Sequence, residues 1–89
     1  MHTIHKFMLP PYSCVASINM PAGAHVLSAH EQRGNICIWA SVNPSSDMRR
    51  RVFRIIATGQ VIEQGLEFVG TVLLYNGSEV YHVFEDCRE

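Results

Sequence analysis

Residues 68–85 read FVGTVLLYNGSEVYHVFE, and the fold turns on this stretch. Two runs rich in Val, Leu, Phe and Tyr, Phe68–Tyr75 and Ser78–Glu85, flank Asn76-Gly77. Asn-Gly accepts positive φ at both central positions of a type I′ turn, whose twist matches that of the strands it joins. Such a turn sets the register. Leu73 then faces Val80, Thr71 faces His82 and Val69 faces Phe84 on one side. On the other side Val72 faces Tyr81 and Gly70 faces Val83. A hairpin covered on one side alternates apolar and polar residues. This one is apolar on both, so cover is expected on both.

The residues upstream follow the same pattern of short apolar runs between turn residues. Thr3–Leu9 is a strand closed by Pro10-Pro11. Cys14–Asn19 is a second, ended by Met20-Pro21-Ala22-Gly23, where Pro presets φ and Gly tolerates φ > 0. His25–His30 and Ile36–Val42 flank Gln32-Arg33-Gly34-Asn35 as a hairpin. With Glu31 opposite Ile36, Ala29 meets Ile38 and Leu27 meets Ala40 on a core face, while His30 meets Cys37 and Ser28 meets Trp39 on a mixed one. After a polar loop over 43–47, Arg51–Ala57 is a strand by its β-branched and aromatic content. Thr58-Gly59 breaks it, and Val61–Gly65 is a loop or one helical turn. The expectation is an all-β fold with at most one short helical turn. Its architecture would be a compact antiparallel sandwich or open barrel of six to seven short strands, in a single β domain over residues 1–89.

A chain of 89 residues has room for one domain and a thin core. Yet 47% of its residues are hydrophobic and only 17% charged, more apolar surface than so small a body hides alone. Part of that surface is expected to cover a second copy or to line a pocket; a homo-oligomer is favoured, and a two-fold dimer pairing the last hairpin is its simplest form. The net charge of −1 lacks the basic surplus that phosphate backbones demand, which argues against nucleic acid as partner. No run approaches the ~20 apolar residues of a membrane span. The start MHTIHKFMLPPY lacks the basic and apolar regions of a signal peptide, so a cytoplasmic location is expected. Cys14, Cys37 and Cys87 are odd in number and widely spaced, without the close pairs of a zinc site. They read as reduced thiols, Cys87 being the most exposed.

No stretch carries the residue types and spacing of an established active site, so no enzyme activity, metal or cofactor is expected. His2 and His5 fall on opposite strand faces. His30, Cys37 and His82 could meet only if the two hairpins packed face to face. His82, opposite Thr71, reads instead as a partly buried histidine with a hydrogen bond. Cys37 opposite His30 would need an exposed, electropositive setting to react. Glu63, Glu67, Glu79, Glu85, Asp86 and Glu89 fall at loops and strand ends, where solvated charges are expected. The remaining charge feature is Arg49-Arg50-Arg51 with Arg54, four of the seven Lys and Arg. Guanidinium groups match phosphate in a bidentate way, although a charged, solvated strand edge explains them too. The binding set read here is Arg50, Arg51 and Arg54 on a small anionic, nucleotide-like ligand held in an oligomer. Trp39 or Tyr81 would stack on a base, and His82 completes the set. The alternative is a protein-interaction module that inhibits a host protein, anchored by Trp39 and Tyr12.

Residues 18–44 (INMPAGAHVLSAHEQRGNICIWASVNP), 49–62 (RRRVFRIIATGQVI) and 66–85 (LEFVGTVLLYNGSEVYHVFE) resemble a family of small bacteriophage and prophage proteins of unknown function. The resemblance runs from Ile4 to Glu85. It is carried by Met20-Pro21-Ala22-Gly23-Ala24, Cys37-Ile38-Trp39-Ala40, Phe53-Arg54, Thr58-Gly59 and Tyr81-His82-Val83-Phe84. Gln60 departs from the pattern, in which a histidine follows Thr-Gly. The resemblance implies a phage setting and no mechanism. In that setting small domains without catalytic motifs act as host-takeover or anti-defence factors, some sequestering a signalling nucleotide and others blocking a host protein.

Overall fold

In a computed structural model the chain is described over residues 1–10 and 13–88. Seven strands form: β1 (Thr3–Met8), β2 (Val15–Pro21), β3 (His25–Gln32), β4 (Asn35–Val42), β5 (Met48–Ala57), β6 (Leu66–Leu74) and β7 (Glu79–Asp86). They build two antiparallel sheets, β1-β4-β3 and β2-β5-β7-β6. Among the described residues the one helical turn is a 3-10 turn, Tyr75–Gly77, at the tip of the last hairpin. Residues 61–65, expected as a loop or helical turn, contain no helix. Pro11 as a strand end, Tyr12 as an exposed anchor and Glu89 as a solvated charge lie outside the described residues.

Local backbone chemistry makes both tight hairpins. Arg33 (φ 53°) and Gly34 (φ 83°) link Gln32 to Asn35, which face each other. In the last hairpin the ladder ends at Leu74 and Glu79, so Tyr75 and Ser78, expected as strand ends, belong to the connection. Within it Asn76 (φ 57°, ψ 32°) and Gly77 (φ 87°) are the central residues, and the Ser78 N–H donates to the Tyr75 carbonyl at 3.2 Å. Positive φ at both central residues is the type I′ arrangement. Close to each turn the expected pairs are present: Glu31 with Ile36, His30 with Cys37, Ala29 with Ile38 and Ser28 with Trp39. In the last hairpin Leu73 pairs with Val80, Val72 with Tyr81, Thr71 with His82 and Gly70 with Val83.

Farther from the turns the expected register fails twice, both times at a bulge. Val26, not Leu27, stands opposite Ala40, because Leu27 is an extra residue in β3. Phe68, not Val69, stands opposite Phe84, because Val69 is an extra residue in β6. A bulge moves every residue beyond it to the other face. Val69 therefore packs toward the core, while Phe68 lies on the outer surface, edge-on to Phe84 with ring centroids 5.4 Å apart. Both bulges lie on the strands that bring the sheets together along one side, β3 and β6. Gly70 makes that approach possible: a Cβ there would stand 3.4 Å from the Ala29 carbonyl oxygen and 3.5 Å from the Ala29 Cβ.

The core lies between the sheets and is built around Met20, Ile38, Val42, Phe53, Val72 and Val83, all buried. The outer surface of the last hairpin is covered only in part: Phe84 is buried, but Phe68 and Leu73 are exposed. Cys37 is buried although it faces away from the core. Its strand is the middle one of its sheet, and Lys6 on β1 reaches across it to Gln32 on β3, Nζ donating to Oε1 at 2.6 Å. The arginine-bearing β5 is likewise no edge, since it pairs with both β2 and β7.

Candidate functional site

Because β5 alternates faces, Arg50 and Arg54 point outward and Arg51 points between the sheets with Phe53. Arg51 closes one end of the sandwich. Its Nη2 donates to Glu85 Oε1 at 2.9 Å and its Nη1 to the Ala24 carbonyl at 2.9 Å. The hydrogen bond to Glu85 raises the guanidinium pKa still further above its ordinary value. On the outer face, Arg54 donates to Asp86 Oδ2 at 3.0 Å. Arg88 grips both oxygens of that carboxylate at 2.9 Å and also reaches Glu63. The Arg88 hydrogen bond, aided by Arg54, holds Asp86 well below the usual carboxylate range. Glu85 and Asp86, expected as solvated charges, thus have side chains only 12% and 9% exposed and act as counter-ions. Arg50 is exposed and donates to Ser17 Oγ at 2.7 Å. It takes part in none of the ion pairs among the described residues.

The other residues read from the sequence as binding groups lie on separate surfaces. Trp39 lies on the outer face of the three-stranded sheet, its ring 5.9 Å from that of His30. His82 lies on the outer face of the four-stranded sheet with Arg50 and Arg54. Its Nε2 is 2.8 Å from Thr58 Oγ1 and its Nδ1 3.0 Å from Thr71 Oγ1, so both ring nitrogens have partners. Tyr81 faces between the sheets at the end opposite Arg51, since it pairs with Ala57 at the far end of β5. His30, Cys37 and His82 do not meet, and no group of three potential metal ligands gathers among the described residues. Burial pushes the Cys37 thiol pKa up, the reverse of what a nucleophile needs.

Among the described residues nothing closes that far end of the sandwich. Five segments converge on a cavity of about 440 Å³: the chain after β1, the start of β2, the β3–β4 turn, the end of β5 and the last hairpin. Leu9, Ile36, Ile55 and Leu74 supply apolar wall, and Tyr75, Tyr81, Glu79, Gln60 and Cys14 supply the polar groups. The Tyr81 hydroxyl donates to Glu79 Oε1 at 2.7 Å. That bond favours the neutral phenol and raises its pKa above the ordinary value. Gln60, standing where the resembling pattern has histidine, accepts the Ala57 N–H through Oε1 at 2.7 Å and closes the turn beside the cavity. Tyr75 is exposed and held at φ 51°, a left-handed conformation costing a bulky residue about 1–2 kcal/mol. Its ring is thereby placed at the rim, and such strain gathers at functional sites. Of the cavity's lining the sequence marked only Tyr81 as a binding residue, and it grouped that residue with the arginines rather than with its neighbours here. The lining comes from five separated segments with no shared spacing, and the Tyr residues flanking Asn-Gly were the one local cue.

No curated protein and no solved structure matches the chain. What does match, across residues 1–89, is the model of a family described as a domain of unknown function (DUF7352), and the chain belongs to that family.

Proposed function

We propose that the protein is a binding module rather than an enzyme, and that its ligand site is the open mouth between the two sheets. The observation that carries this reading is the cavity itself. Its size, apolar wall and few convergent polar groups are those of a small-molecule site. The arginine row supports an anionic, nucleotide-like ligand less well. Arg51 and Arg54 already bind carboxylates of their own chain, so a phosphate would have to displace Glu85 or Asp86. Arg50 alone is left to meet an anion on that face, and His82, opposite Ile56 six residues further along β5, stands well away from it.

A small-molecule screen followed by amide and aromatic NMR tests the assignment. A ligand at ~100 times its Kd stabilises the fold by about 2.7 kcal/mol. Its shifts should cluster at Tyr75, Tyr81, Ile36 and Leu74. Shifts centred on Arg50 and Arg54, with nucleotides as the hits, would return the site to the arginine face.

A second reading is a protein-interaction module, and the outer face of the three-stranded sheet favours it. Ile4 and Met8 are exposed there beside Trp39, an arrangement of the kind that anchors protein interfaces. Under this reading the phage resemblance makes the partner a host protein and the role anti-defence, in the host cytoplasm. No helix among the described residues is long and apolar enough to cross a membrane. A stoichiometric partner from host lysate that is lost with Trp39→Ala supports it, and retention by that variant removes it. Self-association belongs to the same proposal, with the exposed Phe68 and Leu73 of β6 as the contact between copies.

A further inference from the structure

Charge at the mouth is one-sided. Glu79 is the one charged side chain lining the cavity among the described residues. A shallower concavity shares Tyr75 and Gly34 with it, and there the charged residue is Glu31. Glu31 Oε2 accepts the Gly34 N–H at 2.6 Å and is fixed at the rim. Tyr75 therefore stands between two carboxylates. Among the described residues no Lys, Arg or His lines either concavity, Arg33, next to Gly34 in the chain, included. Glu79 meets Tyr81 through Oε1, and its Oε2 has no hydrogen bond among the described residues.

Three ligand types would fare differently here. An anion entering the mouth meets the Glu79 carboxylate, with Glu31 in the adjoining concavity, and is repelled by both. A neutral apolar molecule gains burial against Leu9, Ile36, Ile55 and Leu74 and nothing more. A cation on an apolar body gains that burial, the attraction of Glu79 and the negative faces of two aromatic rings. The backbone strain at Tyr75 holds one of those rings at the rim.

Resting on the reading of the mouth as the ligand site, we propose that the ligand is a small organic cation. Its ammonium or guanidinium head lies among Tyr75, Tyr81 and Glu79, and its apolar body lies against the walls. The carboxylate and the ring faces, not the walls, then set the preference.

Calorimetric and NMR titration of the full chain with hexyltrimethylammonium, 1-hexanol and hexanoate separates the contributions, because the three share one apolar tail. The ammonium is expected to bind about tenfold tighter than the alcohol, and hexanoate the most weakly. Glu79→Gln, which keeps an acceptor for the Tyr81 hydroxyl, should reduce the preference several-fold. Tyr75→Leu, which keeps the wall apolar, should do likewise, and Arg50→Ala should leave it unchanged. Alcohol binding as tight as the ammonium at Tyr75 and Tyr81 overturns the cation and leaves the mouth as the site. So does an ammonium preference that survives both Glu79→Gln and Tyr75→Leu. Binding of none of the three probes at these tyrosines removes the cation and the mouth together.

Discussion

Asp86 shows how strongly one carboxylate can be committed. Arg88 and Arg54 both hold it, so its folded pKa lies below the ordinary 3.8. A depressed folded pKa means that the contribution to stability is present above the unfolded value and lost as pH falls through the folded one. Urea midpoints taken from pH 7 down to pH 2 should therefore fall on the acid side. Asp86→Asn should lower the midpoint at pH 7 and flatten that fall, and a variant with an unchanged acid slope would show that the carboxylate is not the titrating group. The sequence placed Glu85 and Asp86 at a strand end and suggested solvation. It could not show that they stand opposite Phe53 and Val52 on β5, within reach of Arg51 and Arg54. The same arginines were legible as a cluster, but their availability was not, because counter-ions arrive from a strand more than thirty residues away.

Among the elements, hairpins were legible and their bends were not. Asn76-Gly77 sets its turn through the conformations Asn and Gly accept, and Gln32-Arg33-Gly34-Asn35 was legible as the connection of the first hairpin, so register follows for the nearest pairs. The bulges at Leu27 and Val69 depend instead on two edge strands meeting, β3 against β6, which no local pattern encodes. Gly70 reads in the sequence as a turn or bulge residue, and its tertiary role is to let Ala29 approach. Gly70→Val should wedge the two strands apart at a cost of about 1–3 kcal/mol. A urea unfolding curve reads this directly. Stability equal to the parent's in that variant would mean that the junction gives way freely.

For the whole molecule, the expected excess of apolar surface is present and unevenly placed. Phe68 and Leu73 on the four-stranded sheet and Ile4 and Met8 on the three-stranded sheet remain exposed. If β6 is the contact between copies, light scattering at micromolar concentration should give twice the 10.0 kDa chain mass, and Phe68→Ser with Leu73→Ser should return it to one. The chain mass for the parent protein would remove the dimer without touching the mouth, which is built within one copy.

The all-β class, a count of six to seven strands and two turn-set hairpins follow from the sequence alone. Alternation, β-branched content and Gly-containing turns act between near neighbours, and near neighbours are what a sequence displays. Which strands share a sheet, where the bulges fall, which arginines find carboxylates and that one end stays open are products of the two sheets packing. They depend on contacts between residues far apart in the chain, whose distances only the folded structure sets.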